Sequence, residues 1–187
     1  MPEKSSKAPT DVYQLKVTLR IVRPPVWRRF VVPSDISLSK LHHILQAVMG
    51  WTDSHLYGFT AGRTSYGEPG QMPDLRSAHT AKLASILPAK GSKLLYEYDF
   101  GDGWEHDIVV EAILEPAEGV RYPACVAGKR ACPPEDCGGP YGYAELPEAL
   151  ADPKHPEHEE KLDWIGDGFD PETFDFDEVN ALLRRIR

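Results

Sequence analysis

Residues 13–33 read YQLKVTLRIVRPPVWRRFVVP, and this stretch decides the fold. Tyr13, Leu15, Val17, Leu19 and Ile21 alternate with Gln14, Lys16, Thr18 and Arg20, the period-two pattern of a strand with one buried face. Pro24 and Pro25 cannot continue a ladder, because proline lacks the backbone donor. The pattern therefore predicts a turn, then a second strand over about residues 26–32, paired with the first as a hairpin. Downstream, Leu38, Leu41, Ile44, Leu45, Val48 and Met49 recur at helical spacing, with Ser37 placed to cap the start and Gly50 to end it.

Alternation returns at residues 93–100. A Gly-Asp-Gly turn at 101–103 then leads into a strand over about residues 104–114, so a second hairpin is expected. Its parity puts Trp104, His106, Ile108 and Val110 on the apolar face. DSHLYGF, residues 53–59, suggests a short strand, and residues 61–80 an irregular excursion or weak hairpin. Residues 115–143 read as a loop. Helices are expected over 143–151, 156–165 and about 175–186, the last with Asp175 as cap and Glu178 at the capping-box position. These elements predict an α+β fold: one domain over residues 12–187, behind a leader at 1–11. Its mixed, mostly antiparallel sheet has a ββαβ start of β-grasp-like order and is packed by one long helix, with helices at the C-terminus.

The 187 residues suffice for one continuous core, and 41% hydrophobic against 27% charged residues is a globular composition. No apolar run is long enough for a membrane span, and residues 1–10 lack the apolar core of a signal peptide. A cytoplasmic protein is expected, which suits an odd number of cysteines, three. The net charge of −8 lies wholly in residues 144–187, which hold 13 acidic and 5 basic side chains. A broadly basic nucleic-acid surface is thereby excluded. Arg20, Arg23, Arg28 and Arg29 could form a local basic patch, although a solvated hairpin face explains them better.

Two segments carry candidate chemistry. Asp99, Asp102, His106 and Asp107 crowd the second hairpin, where carboxylates beside an imidazole can hold a divalent metal or perform acid–base work. The competing account is a turn solvated by its acids over a core histidine. The other segment is ACPPEDCGGPYGY, residues 131–143, in which Pro133-Pro134 stiffens the chain, Glu135-Asp136 supplies carboxylates and Gly138-Gly139 permits close approach. Cys125, Cys132 and Cys137, with His106 as a fourth ligand, would make a tetrahedral zinc set, although no C-x2-C knuckle is present and buried, unligated thiols are the default. His42, His43 and His55 read as packing or surface residues, since nothing beside them in sequence completes a ligand set. No phosphate-binding glycine loop, nucleophile elbow or H-E-x-x-H helix is found.

The first hairpin, LSKLHHILQAVMGW (38–51), YDFGDGWEHDI (98–108) and CPPEDCGGPYGY (132–143) together resemble the plasmid pRiA4b ORF-3-like family. The resemblance implies a compact α+β domain found in bacteria, archaea and mobile elements, with no established biochemical activity. Its motif positions fall on Asp99, Gly101, Asp102, Trp104 and His106, and on Pro133, Pro134, Glu135, Asp136, Gly138 and Gly139.

Taken together, these readings predict that the Pro-Pro-Glu-Asp loop folds over the Asp-Gly-Asp hairpin, so that Asp99, Asp102, Trp104, His106, Glu135 and Asp136 form one polar cleft. The expected function is a binding or interaction module linked to plasmids or mobile elements, engaging a protein or small molecule. The alternative is a metal-dependent enzyme, phosphoesterase-like, using zinc or another divalent ion.

Overall fold

Eight strands form one sheet in the order β5-β4-β3-β6-β7-β1-β2-β8. The computed structural model describes residues 10–71, 74–166 and 169–186, so most of the expected leader lies outside the described residues. The strands are β1 Val12–Leu19, β2 Trp27–Pro33, β3 Tyr57–Ala61, β4 Thr64–Gly67, β5 Arg76–Ser77, β6 Lys93–Tyr98, β7 Trp104–Leu114 and β8 Ala124–Lys129. All neighbours pair antiparallel except β4 and β5. The helices are α1 Leu38–Met49, α2 Leu83–Ile86, α3 Gly139–Ala151, α4 His158–Ile165 and α5 Phe176–Leu183. None of the described helices is long and apolar enough to cross a membrane.

The parity of β1 sets the layers. Leu15, Val17 and Leu19 are fully buried and lie opposite Phe30 and Arg28 of β2 and Val110, Ile108 and His106 of β7. The other face is a charge ladder: Arg20 pairs with Glu105 and Asp107, and Arg29 with Glu111, which also accepts from Gln14. An antiparallel sheet can leave one face to water in this way. The ladder also disperses the suspected basic patch, because Arg20 and Arg29 spend their charge on these acids.

On the covered face, Leu38, Leu41, Ile44, Leu45 and Val48 of α1 are fully buried in the core. Ser37 accepts from Lys40 N at the start of this helix, and Gly50 closes it in the left-handed region at φ 97°. Arg28 points inward and is only 1% exposed. Its Nε donates to Val48 O at the end of α1, and Nη1 donates to Trp27 O and Lys129 O. The Phe174 ring covers the guanidinium at 4.1 Å.

Two elements differ from expectation. β8 lies inside the segment read as a loop, and α3 begins four residues earlier than its pattern suggested, with Pro140 in its first turn. β8 is a sheet edge whose outward backbone is capped at Cys125. Cys125 N donates to Asn180 Oδ1, and Asn180 Nδ2 donates to Cys125 O, so a side-chain amide from α5 takes the place of a ninth strand.

Candidate functional site

Strand pairing assembles the site. β3 and β6 pair with Tyr57 opposite Tyr98, and Asp99 N donates to Leu56 O at 2.9 Å, which brings His55 beside Asp99. The backbone of Asp99 turns through the left-handed region at φ 56°, as does that of Asp136 at 58°. Aspartate tolerates this conformation better than most residues, and such positions concentrate where a side chain must be aimed. The 131–138 loop is fixed over the hairpin by Trp51 Nε1, which donates to Pro133 O at 2.9 Å.

Three carboxylates converge on one imidazole. His55 Nε2 stands 3.1 Å from Asp136 Oδ1, 3.6 Å from Asp99 Oδ2 and 3.6 Å from Glu135 Oε2. The other oxygens of two of these acids are already occupied. Asp99 Oδ1 accepts from Gly101 N and Asp102 N, and Glu135 Oε1 accepts from Thr52 N, Thr52 Oγ1 and Tyr98 Oη. Asp99 and Glu135 are thus oriented by an outer ring of donors; Asp99 keeps Oδ2 toward His55, while Glu135 Oε2 also accepts from Tyr98 Oη at 3.3 Å. His55 Nε2 itself is buried and makes no hydrogen bond among the described residues. Burial, with Glu135 beside it, pushes the Tyr98 hydroxyl up to about 12, so it stays a neutral donor.

The sequence-predicted residues therefore divide. Asp99, Glu135 and Asp136 meet around His55, while Asp102 contributes its backbone and sets its carboxylate near Cys137, whose thiol is pushed up to about 12 by burial and then by that acid. Trp104 and His106 lie beneath the cleft in the core. The His106 ring is 0% exposed, meets Trp51 edge-on at 5.2 Å, and its Nδ1 bonds the Tyr96 carbonyl. His106 is thus not the imidazole the acids surround. His55 takes that place, because only the β3–β6 register, which no local spacing encodes, sets it there.

The suggested cysteine set does not assemble either. Cys125, Cys132 and Cys137 are free thiols, and neither they nor His106 belong to a group of three or more ligand atoms within 4.8 Å among the described residues. Burial raises all three thiols, which disfavours the thiolates zinc needs.

A second polar cluster lies one turn of chain away. His42 Nε2 donates to Asp53 Oδ1 at 2.6 Å, so its Nδ1 accepts from Tyr96 Oη at 2.8 Å. The ring stacks on Tyr57 at 3.6 Å, and burial lowers its pKa. Every polar atom of this ring is satisfied, so it serves to brace the 51–56 segment that carries His55.

Burial depresses His106 from the ordinary imidazole value of 6.5 to about 4. The unfolded chain takes up its proton first as pH falls, so stability is expected to drop between about pH 6.5 and pH 4 by roughly 3 kcal/mol from this group. Urea unfolding at pH 7 and pH 4 checks this: wild type should lose that much more than His106→Gln, which has no proton to gain.

The model of the plasmid pRiA4b ORF-3-like proteins matches residues 11–178. The chain belongs to that family. It is 45% identical over 178 residues to the uncharacterised protein y4hQ of Sinorhizobium fredii, covering 92% of this chain and 91% of the relative. The crystal structure of MM3350, a protein of unknown function from Methanosarcina mazei Go1, is also similar. It has a TM-score of 0.82 at 43% identity over 89% of this chain and 96% of the other. Membership in the pRiA4b ORF-3-like family accounts for the shared α+β architecture and assigns no activity to the cleft.

Proposed function

We propose that this protein is a binding module that holds a divalent cation between His55, Asp99 and Asp136, with Glu135 beside them, and presents it to a small-molecule ligand. The observation that carries the reading is the His55 Nε2 atom, buried, without a hydrogen bond, and faced by carboxylate oxygens at 3.1 to 3.6 Å. Ligand atoms about 2.1 Å from one ion stand roughly 3.0 Å apart in octahedral and about 3.4 Å apart in tetrahedral geometry, so this spacing suits zinc or manganese. One nitrogen and two hard oxygens, with the Glu135 carboxylate beside them, favour such ions over copper or an iron–sulfur cluster.

Asp136 is 70% exposed on its side chain, which leaves the ion open on one side. There a cavity of about 210 Å³ adjoins Asp136 and is lined by Leu146, Lys161 and Trp164. A ligand with an anionic group for the ion or Lys161 and a flat body for Trp164 fits this chemistry. The family's plasmid-borne namesake supports a role in the biology of mobile DNA, and three free thiols suit a cytoplasmic setting.

Tag-free protein stripped with chelator should bind one zinc or manganese ion by titration calorimetry. Asp99→Asn and Glu135→Gln are each expected to weaken binding about tenfold to a hundredfold, whereas Cys132→Ala should leave it unchanged. Binding that survives His55→Ala intact would refute the site. The open side also favours a second reading, metal-assisted hydrolysis of a phosphate ester by an ion-bound water. Turnover of bis-(4-nitrophenyl) phosphate that needs both the ion and Glu135 would select it.

A further inference from the structure

Away from the cation site, a cavity of about 320 Å³ lies between the β1–β2 turn, the end of β8 and the first turns of α3. It shares no residue with the His55 cluster. Two of its lining residues are deeply buried polar side chains, Arg130 at 7% and Tyr143 at 3% exposure. The Arg130 Nε and Tyr143 Oη atoms are both buried and, among the described residues, neither makes a well-formed hydrogen bond, although the Arg130 guanidinium stands beside the Tyr143 hydroxyl. A buried hydroxyl or guanidinium N–H left unpaired destabilises a fold by about 1 to 3 kcal/mol, so native proteins rarely keep two in one cavity without a use for them.

The electrostatics have one sign. Arg130 spends Nη1 on Glu172, and Arg23, exposed on the β1–β2 turn, donates among the described residues only to the carbonyl of Val22. The first turn of α3, which has no side-chain cap, also faces this cavity through Pro140 and Tyr141 and adds the positive end of a helix. The remaining walls are apolar or aromatic: Ile21, Tyr141 and Pro147. Ile21 and Tyr141 are largely exposed, although each offers a broad apolar surface.

We propose that this cavity binds a small monocarboxylate with an apolar, flat body. Its carboxylate accepts from Tyr143 Oη and Arg130 Nε, with the charge of Arg23 at the mouth, and its body lies against Tyr141, Ile21 and Pro147. A cavity near 300 Å³ is at the small end of ligand pockets, which selects a compact acid over a long chain. A carboxylate is favoured over a phosphate because Glu172 cancels one of the two positive charges of Arg130 and Arg23, so about one negative charge is balanced.

The probe is phenylacetate, titrated calorimetrically into the full chain with chelator present so that the His55 cluster plays no part. It is expected to bind one to one with a Kd below about 1 mM, and 2-phenylacetamide, equal in shape and uncharged, at least about tenfold more weakly. Tyr143→Phe and Arg23→Gln should each weaken phenylacetate about fivefold to tenfold. Tyr143→Phe should meanwhile hold or raise the melting temperature, because it removes an unpaired buried hydroxyl, a combination that a purely structural tyrosine would not give. Equal affinity for the acid and the amide, or no saturation by about 10 mM, overturns the proposal. So does saturable binding of acetyl-Gly-Phe with no response to phenylacetate, which would instead mark a receptor for peptide termini.

Discussion

Gly139→Ala is expected to lower stability by about 4 kcal/mol and to abolish metal binding with it. A Cβ built on Gly139 would lie only 2.4 Å from the carbonyl oxygen of Asp102, and the residue sits at φ 69°. The left-handed backbone strains any L side chain by roughly 1 to 3 kcal/mol, and the clash is with main chain, which cannot swing aside, adding a similar amount. The only relief is for the 131–138 loop to lift off the 99–103 turn. Glu135 and Asp136 would then leave His55 and Asp99, and Trp51 would lose its bond to Pro133. Urea unfolding measures the first effect and zinc titration calorimetry the second, while tryptophan emission, to which Trp51 contributes beside three other tryptophans, follows the loop. A variant within 1 kcal/mol of wild type, with unchanged emission and zinc affinity, would show that the two segments are not held together as described.

Arg28→Ala is expected to be as severe, again about 4 kcal/mol, for a different reason. Three carbonyls, from Trp27, Val48 and Lys129, depend on this guanidinium, and the Phe174 ring rests on it. Truncation leaves buried acceptors unpaired and a cavity beneath the ring, two losses that add. Burial lowers the pKa of Arg28, yet the charge faces the carbonyl end of α1, where a cation is favoured. Arg28→Met keeps volume and loses only the donors, so about half the effect is expected from it. Denaturant midpoints of the two variants separate the packing part from the polar part. A negligible loss in Arg28→Met would show that the carbonyls find water instead, and equal losses that packing adds nothing.

The contrast between these residues explains how much could be read from letters. The two hairpins and α1 are written in local periodicity: alternation over residues 13–19 and 104–114 and the apolar stripe from Leu38 to Met49 each need only neighbours in sequence, whereas Ile21, expected on the buried side, lies past the end of β1 and is exposed. Parity likewise placed His106 on the apolar face, where the structure has it. β8 was illegible, because Ala124–Lys129 becomes a strand through partners far away: β2 for its ladder, Asn180 for its outer edge, and Phe174, which packs so close to Gly128 that a Cβ there would sit 2.6 Å from the ring. His55 was illegible for the same reason. Its partners come from positions 99, 135 and 136, and the register that joins them is a property of the sheet. Site chemistry spread over three segments leaves no spacing to recognise, whereas the glycines that let those segments touch leave a visible one.

The Asn180 amide on the margin of β8 carries a consequence for how these molecules behave at high concentration. By mimicking the hydrogen-bond pattern of one further peptide group, it denies a neighbouring copy its template, and at the opposite margin β5 is only two residues long. Capping at one residue of one border and brevity at the other both work against edge-to-edge growth of the sheet.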